Sequence, residues 1–202
     1  MRTKLIEDLR AFVPFNEQEQ TDRDEILRLL ETEDNLFLRS NLICHMTASA
    51  WVVNPARDKV LMAYHNLYRS WSWLGGHADG DEDLLSVALR EVREESGVAH
   101  VRPVSEKIYS VETIHVEGHE KKGKYVPSHL HLNVTYLLEA DDRDPLRIKA
   151  DENSQVAWFG LAEALEKSTE PWMATRIYRK LNDKLANIRE AAPQPGSLSL
   201  RE

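Results

Sequence analysis

The sequence contains one cysteine, no long hydrophobic run and fewer basic than acidic residues. Because Cys44 has no second cysteine to pair with, an intramolecular disulfide and a thiolate metal cluster are both excluded. The longest apolar run, around residues 48–53, is far shorter than the ~18 residues that span a bilayer. The N-terminus leads into mixed polar sequence instead of the apolar core of a signal peptide. We therefore expect no membrane association and a cytoplasmic location.

The excess of acidic residues gives a formal net charge of −8. This charge argues against broad electrostatic binding of nucleic acid, and no DNA-binding segment is recognisable. The hydrophobic content of 42% and the charged content of 30% are typical of a soluble globular protein. A lone cysteine in such a protein is more often a small buried apolar residue than a nucleophile.

Patterns typical of helices and of strands alternate along the chain. Helices are predicted at residues 4–12, 17–31, 161–167 and 171–188, and strands at 47–53, 59–65, 107–117, 130–139 and 155–159. The first two strands flank a turn-like segment at 54–58, which predicts a hairpin. The first 40 residues show no catalytic constellation, so we expect a helical appendage that packs on the core, covers the site or forms a dimer contact.

The segment that organises the chain is residues 76–98, an acidic loop followed by a helix. Asp81 is the predicted N-cap, and Gly97 stands where a left-handed residue ends a helix. At roughly 100° per residue, three glutamates share an arc of about 100° at the edge of the apolar stripe: Glu91, Glu94 and Glu95. Arg90, four residues before Glu94, is placed to neutralise and orient one carboxylate.

Crowded carboxylates at a half-buried edge repel one another and lose hydration. A hard divalent cation relieves both penalties, and oxygen-only ligands suit Mg²⁺ or Mn²⁺. The spacing of the carboxylates alone would favour the alternative, a solvated acidic helix face.

The segment contains Gly76, then Glu82 after five residues, and after seven more the run R-E-V-R-E-E-S-G-V at 90–98. This pattern resembles the Nudix box at every defined position. The resemblance implies a fold of the α/β (α+β) class in which a mixed β-sheet is sandwiched between helices. The corresponding division of the chain is a helical N-terminal appendage at 1–40, a Nudix hydrolase domain at 41–190 and a disordered tail at 191–202.

The resemblance also implies an activity: Mg²⁺-dependent hydrolysis of a diphosphate linkage in a small-molecule nucleoside diphosphate derivative, by attack of water on phosphorus. The implied metal ligands are Gly76, Glu91, Glu94 and Glu95, with Mn²⁺ as a possible substitute for Mg²⁺. Arg90 would hold a glutamate in place, and Glu82 would support the loop. For the general base we expect Glu91 first and then Glu152, an acidic residue in a late loop.

Residues outside the box are candidates for substrate contacts. Trp71 and Trp73 share one face of an extended segment and are suited to stacking on a base or sugar, although core packing is an alternative for either. Lys124 lies in a loop of three lysines suited to meeting a phosphate. His129 and His131 project to one face of a strand, and the sequence offers them no third metal ligand nearby. We therefore expect these histidines to line the substrate pocket or to pack among polar groups.

Two other functions remain open. A non-catalytic nucleotide sensor would be favoured by losses among the box glutamates, and none is lost. An isopentenyl diphosphate isomerase usually has a degenerate box and a catalytic cysteine, whereas here the box is complete and Cys44 lies outside it. The N-terminal helices make a homodimer a further expectation.

Overall fold

The structure is a computed structural model that describes residues 1–121 and 123–191. Its helices are α1 (Arg2–Ala11), α2 (Glu17–Thr32), α3 (Leu84–Ser96), α4 (Leu161–Lys167) and α5 (Arg179–Ala191). Its strands are β1 (Cys44–Val53), β2 (Lys59–His65), β3 (Ser70–Ser72), β4 (Leu74–His77), β5 (Val101–Pro103), β6 (Ser110–Val116), β7 (His119–Lys121), β8 (Lys124–Val126), β9 (His129–Ala140) and β10 (Asn153–Gly160). The predicted tail lies outside the described residues, except for Ala191.

Within the described residues, eight strands form one mixed sheet. Its main order is β10-β2-β1-β9-β5, with β3 paired to β2, β4 to β1 and β6 to β9. β1 and β9 run parallel, with His45 opposite His131, and the remaining pairs are antiparallel. β7 and β8 form a separate hairpin. The parallel pair at the centre brings together residues more than 80 positions apart in sequence.

Side-chain alternation along β1 explains why helices cover both faces of the sheet. Met46, Ala48 and Ala50 belong to one buried cluster together with residues of α1, α2 and α3. Trp51 and Val53 belong to a second cluster, with residues of α4 and α5. The mixed sheet between helical layers is thus confirmed.

The two N-terminal helices contribute directly to the first of these clusters. Leu5 and Leu9 of α1 and Ile26 and Leu30 of α2 are all buried there. The side chain of Asn16 caps α2 by accepting a hydrogen bond from the Glu19 N–H at 2.9 Å. In the described part of the chain, no helix combines the length and the apolar character needed to span a bilayer.

The ends of α3 test the two predicted caps. The prediction that Asp81 is the N-cap is wrong: Asp83 occupies that position, and its carboxylate accepts a hydrogen bond from the Ser86 N–H at 3.2 Å. Asp81 instead accepts a hydrogen bond from the Asp83 N–H and shapes the turn before the helix. Gly97 ends the helix with φ of 72°, as predicted.

The final predicted helix is not uniform. A π-helical segment, Met173–Tyr178, precedes α5, and it buries Ile177 and Tyr178 against the sheet. The predicted strand at 107–117 is shorter, at Ser110–Val116, whereas β9 extends one residue beyond its prediction at each end.

Candidate functional site

One cavity of about 460 Å³ opens at the edge of the sheet where β1, β4 and β9 meet α3. Its wall includes three of the predicted carboxylates, which are Glu91, Glu95 and Glu152. Four histidines, from β1, β4 and β9, also face it: His45, His77, His129 and His131. The volume falls in the range of roughly 300–1,000 Å³ that is typical of small-molecule sites.

Two glutamates of α3 are fixed against the paired glycines of β4. The Gly75 N–H donates a hydrogen bond to Glu95 Oε2 at 3.0 Å. A Cβ atom at Gly76 would lie 2.6 Å from Glu91 Cδ, so only glycine leaves room for that carboxylate. Gly75 and Gly76 therefore allow the backbone of β4 to lie in close contact with the carboxylates of Glu91 and Glu95.

Burial raises the pKa of both carboxyl groups. Glu95 is only 6% exposed, and burial raises its pKa to about 8, an effect to which the nearby charge of Glu91 adds. The pKa of Glu91 is also raised, mainly by burial and further by Glu94. Acidic groups thus lie where their negative charge is costly, as groups at functional sites often do.

The other predicted site residues surround this pair. Arg90 contacts Glu91 at 3.4 Å and Asp81 at 3.5 Å, so it supports Glu91 and not the expected Glu94. Glu94 is instead paired with Lys149 at 3.1 Å, and the same ammonium group contacts Glu152 at 2.8 Å. Lys149, which no sequence pattern singles out, thus joins the late acidic loop to the helix that carries the box.

The aromatic and basic candidates divide between the cavity and the rest of the molecule. Trp73 lines the cavity and makes an edge contact with Tyr178. Trp71 is absent from the lining and packs against Tyr64 and Phe159, with ring centroids 5.7 and 4.7 Å away, which is the alternative considered for it.

On the β7–β8 hairpin, Lys121 lines the cavity, whereas Lys124 is exposed and does not line it. The structure therefore does not place Trp71 or Lys124 where a bound molecule in this cavity would meet them.

The expectation that His129 and His131 have no third metal ligand nearby is wrong. His45 and His77 join them, and one ligand atom from each of the four lies within 4.8 Å of the others. Burial, reinforced by charged neighbours, lowers the pKa of His77 to about 3 and that of His131 to about 2, so both rings are neutral at physiological pH. Two of the four were missed because β1 and β9 pair in parallel across a long stretch of sequence.

A buried polar network extends from the cavity along the same face of the sheet. Asn133 accepts hydrogen bonds from Thr47 and Ser49, both at 2.9 Å, and donates one to Glu112 at 2.9 Å. Its side chain is fully committed to these contacts. We therefore assign Asn133 to positioning of the strands rather than to direct contact with a ligand.

Cys44 is buried and does not line the cavity. Burial raises the pKa of its thiol, which disfavours a reactive thiolate. Its position fits the interpretation of a small apolar core residue.

Comparison with known proteins agrees with the geometry. A family model described as NUDIX domain matches residues 45–181. A probable DHNTP pyrophosphohydrolase of Lactococcus lactis subsp. cremoris (strain MG1363) is 27% identical over 144 residues, which cover 71% of this chain and 82% of the relative.

Two solved structures share the fold. An Ap4A hydrolase from C. elegans, in a binary complex, has a TM-score of 0.50 and 20% identity and covers 73% of this chain and 98% of its own. A hydrolase of the NUDIX family from Clostridium perfringens has a TM-score of 0.50 and 21% identity, with coverages of 71% and 97%.

Proposed function

The chain belongs to the NUDIX family, and from that premise we propose that it hydrolyses a diphosphate linkage in a nucleoside diphosphate derivative by attack of water on phosphorus. The observation that carries the proposal is a pair of carboxylates, the buried Glu95 and the half-buried Glu91, held against Gly75 and Gly76 in the wall of a cavity of substrate size. The enzyme is a Nudix hydrolase. What we propose in addition is the class of its substrate and the identity of its metal ion.

The residues present fit a divalent cation. Glu91 and Glu95 meet in the cavity wall, and burial raises the pKa of both carboxyl groups, so a cation placed there would stabilise their charged forms. The donors are carboxylate oxygens, which suit Mg²⁺ first and Mn²⁺ second. We propose that Glu91, Glu94, Glu95 and the backbone of Gly76 hold the ion. A bound Mg²⁺ supplies charge neutralisation at the phosphate oxygens and acidifies coordinated water.

The chain's own residues orient this site and handle protons. Arg90 fixes Glu91 by its 3.4 Å contact, and the Gly75 N–H fixes one oxygen of Glu95. Glu91 is our first choice as the acceptor of the proton from attacking water, because it lies at the cavity wall close to the paired glycines. Glu152 is the second choice, tied by Lys149 to the rim of the same cavity.

The cavity also contains groups suited to the remainder of such a substrate. Trp73 offers an aromatic surface for a base or sugar, and Lys121 offers an ammonium group for a phosphate. These two residues replace Trp71 and Lys124 in our proposal, and His129 and His131 remain part of the wall.

The test is a panel assay of product release with purified protein, Mg²⁺ or Mn²⁺, and diphosphate-containing compounds. The panel includes DHNTP and Ap4A, the compounds that appear in the names of the relatives, together with ADP-ribose and nucleoside diphosphate sugars. We expect turnover of at least one class, lost on chelation and restored by Mg²⁺. Metal-dependent nucleotide binding without turnover of any compound would overturn the proposal in favour of the sensor.

Replacing Gly76 by alanine tests the close approach of backbone and carboxylate. The added Cβ would lie 2.8 and 2.9 Å from the two Glu91 oxygens, so Glu91 must move. Because displacement of a catalytic group by about 1 Å costs up to about 100-fold in rate, we expect kcat of Gly76→Ala to fall by a factor of this order.

Steady-state kinetics at saturating Mg²⁺ measure the effect. Gly160→Ala is the matched control, since a Cβ there meets nothing within 4 Å, and it should keep wild-type kcat. An unchanged kcat in Gly76→Ala would show that the position of the Glu91 carboxylate does not matter for the reaction.

A further inference from the structure

Four histidines from three strands converge on one side of the cavity, and we call them the histidine cluster: His45, His77, His129 and His131. Parallel pairing of β1 with β9 sets His45 opposite His131, and antiparallel pairing of β1 with β4 sets Thr47 opposite His77. The ring of His45 lies between 4.8 and 5.1 Å from each of the other three, measured between centroids. Their convergence is thus a property of the sheet and not of mobile loops.

The ring nitrogens are arranged as they are in metal sites. His45 Nδ1 contacts the Asn41 carbonyl at 3.0 Å, and His129 Nδ1 contacts the Pro127 carbonyl at 2.8 Å. A carbonyl only accepts, so Nδ1 carries a proton in both rings, and a ring with that single proton keeps its lone pair on Nε2. Metal-binding histidines are held in the same way, with the far ring nitrogen bonded to a carbonyl or carboxylate that fixes the tautomer and the ring orientation.

Contacts within the described residues leave at least one of these two lone pairs unsatisfied. His45 Nε2 is buried and has no hydrogen-bond partner among residues 1–121 and 123–191. His129 Nε2 lies 3.2 Å from His131 Nε2, so at most one proton is shared between them. A buried acceptor left unpaired is costly, and a cation at the centre of the cluster would satisfy all of these nitrogens together.

From these contacts we propose that the histidine cluster binds one late first-row divalent metal ion, with Zn²⁺ the best fit. Neutral imidazole suits Zn²⁺ and its neighbours and is not selected by Mg²⁺. Zn–N bonds of about 2.0–2.1 Å place tetrahedral ligands roughly 3.4 Å apart, close to the 3.2 Å that separates His129 from His131. Small side-chain rotations bring the remaining nitrogens, now within 4.8 Å, to that spacing.

The proposed ion is separate from the one proposed at Glu91 and Glu95 and stands whether or not hydrolysis is found. Four imidazoles fill a tetrahedral shell and leave no open position, which is typical of a structural zinc site. The ion would cross-link β1, β4 and β9 at the wall of the cavity. Because it binds the folded chain, it should raise the unfolding temperature, by an amount that grows with the logarithm of its free concentration once this exceeds Kd.

The test uses the full chain without a histidine tag, treated with chelator and titrated with Zn²⁺ by calorimetry in excess Mg²⁺. We expect one Zn²⁺ per chain and a rise in Tm on its addition. Co²⁺ in place of Zn²⁺ should give the intense visible bands of a tetrahedral site. Failure of Zn²⁺, Co²⁺ and Ni²⁺ to bind stoichiometrically to the wild-type chain would overturn the proposal.

Variants separate the histidine cluster from other sites. His129→Gln/His131→Gln should weaken Zn²⁺ binding by more than the roughly 10–100-fold that loss of a supporting partner costs a metal site. His77→Gln tests the same site with a single change. His100→Gln, at an exposed position after α3, should bind as wild type does.

Glu91→Gln/Glu95→Gln should retain the Zn²⁺ site. Loss of Zn²⁺ in this variant, with retention in His129→Gln/His131→Gln, would assign the ion to the glutamates and overturn the proposal.

Discussion

Glu91→Gln and Glu95→Gln are each expected to lower kcat by about 10²–10³-fold on whichever substrate the enzyme turns over. Each change keeps the shape of the side chain but removes one negative charge from the buried pair that faces the cavity. Loss of one well-placed electrostatic group in an active site costs about this factor, or roughly 3–4 kcal/mol of transition-state stabilisation. Initial rates measured over a range of Mg²⁺ concentrations give kcat and the apparent metal affinity together.

The control for these variants is Glu166→Gln, an exposed glutamate on α4 that lies outside the cavity lining. It should match the wild type in kcat and in metal dependence. If either variant at Glu91 or Glu95 keeps more than about a third of wild-type kcat at saturating Mg²⁺, that carboxylate does not act in the reaction as we propose.

The box was predictable because its determinants are local, and the fold followed from the resemblance that the box carries. Gly97 ends α3 and the spacing of Glu91 and Glu95 follows from helix geometry, so a 23-residue segment contains the information. The N-cap was misassigned by two residues because three acidic residues follow one another, and only the backbone decides which carboxylate faces the first turn. The capping preferences of these residue types alone do not identify which of them is the N-cap.

The histidine cluster was not predictable in this way. His45 and His131 are neighbours only because β1 and β9 pair in parallel, a contact between segments more than 80 residues apart. Periodicity shows that His129 and His131 share a face but not what stands opposite that face. The same limit applies to Lys149, whose contacts with Glu94 and Glu152 depend on the loop before β10.

A second non-local feature joins the N-terminal helices to the end of the chain. Glu19 of α2 is completely buried, and its carboxylate contacts Lys184 at 2.8 Å and Lys180 at 3.2 Å. Ser110 donates a further hydrogen bond to it at 2.6 Å. Lys180 also contacts Glu112 at 2.9 Å, so the ion pairs of Glu19 connect with the polar network of Asn133 and Glu112 that reaches the cavity.

Glu19→Gln is expected to lower the free energy of unfolding by about 3–5 kcal/mol. The change leaves the buried Lys180 and the half-buried Lys184 without the charge of this carboxylate, and breaking a buried ion pair from one side costs this much. For a chain of this size the loss corresponds to a fall in Tm of roughly 10 °C. Urea unfolding followed by circular dichroism measures it, and Glu17→Gln, exposed on the same helix, should change stability by less than about 0.5 kcal/mol.

The stability lost in Glu19→Gln should depend on pH, and the direction of that dependence follows from the pKa of Glu19. Burial opposes the charge of Glu19, but Lys180 and Lys184 outweigh it and hold the pKa of this carboxyl below its ordinary value. A lowered pKa in the folded state contributes stability above the unfolded value of about 4.3, and that stability disappears as the pH falls through the folded value. The difference between wild type and Glu19→Gln should therefore be full at pH 7 and narrow below about pH 4.

A double-mutant cycle with Lys184→Met separates the ion pair from simple packing. In the Glu19→Gln background, Lys184→Met removes an uncompensated buried charge, so it should cost much less stability than it does in the wild type. Additive losses in the cycle, or a Glu19→Gln variant as stable as Glu17→Gln, would show that the pair does not hold α2 to α5. If the coupling is found, the helical appendage is bound to α5 by charge as well as to the sheet by the apolar contacts of Ile26 and Leu30.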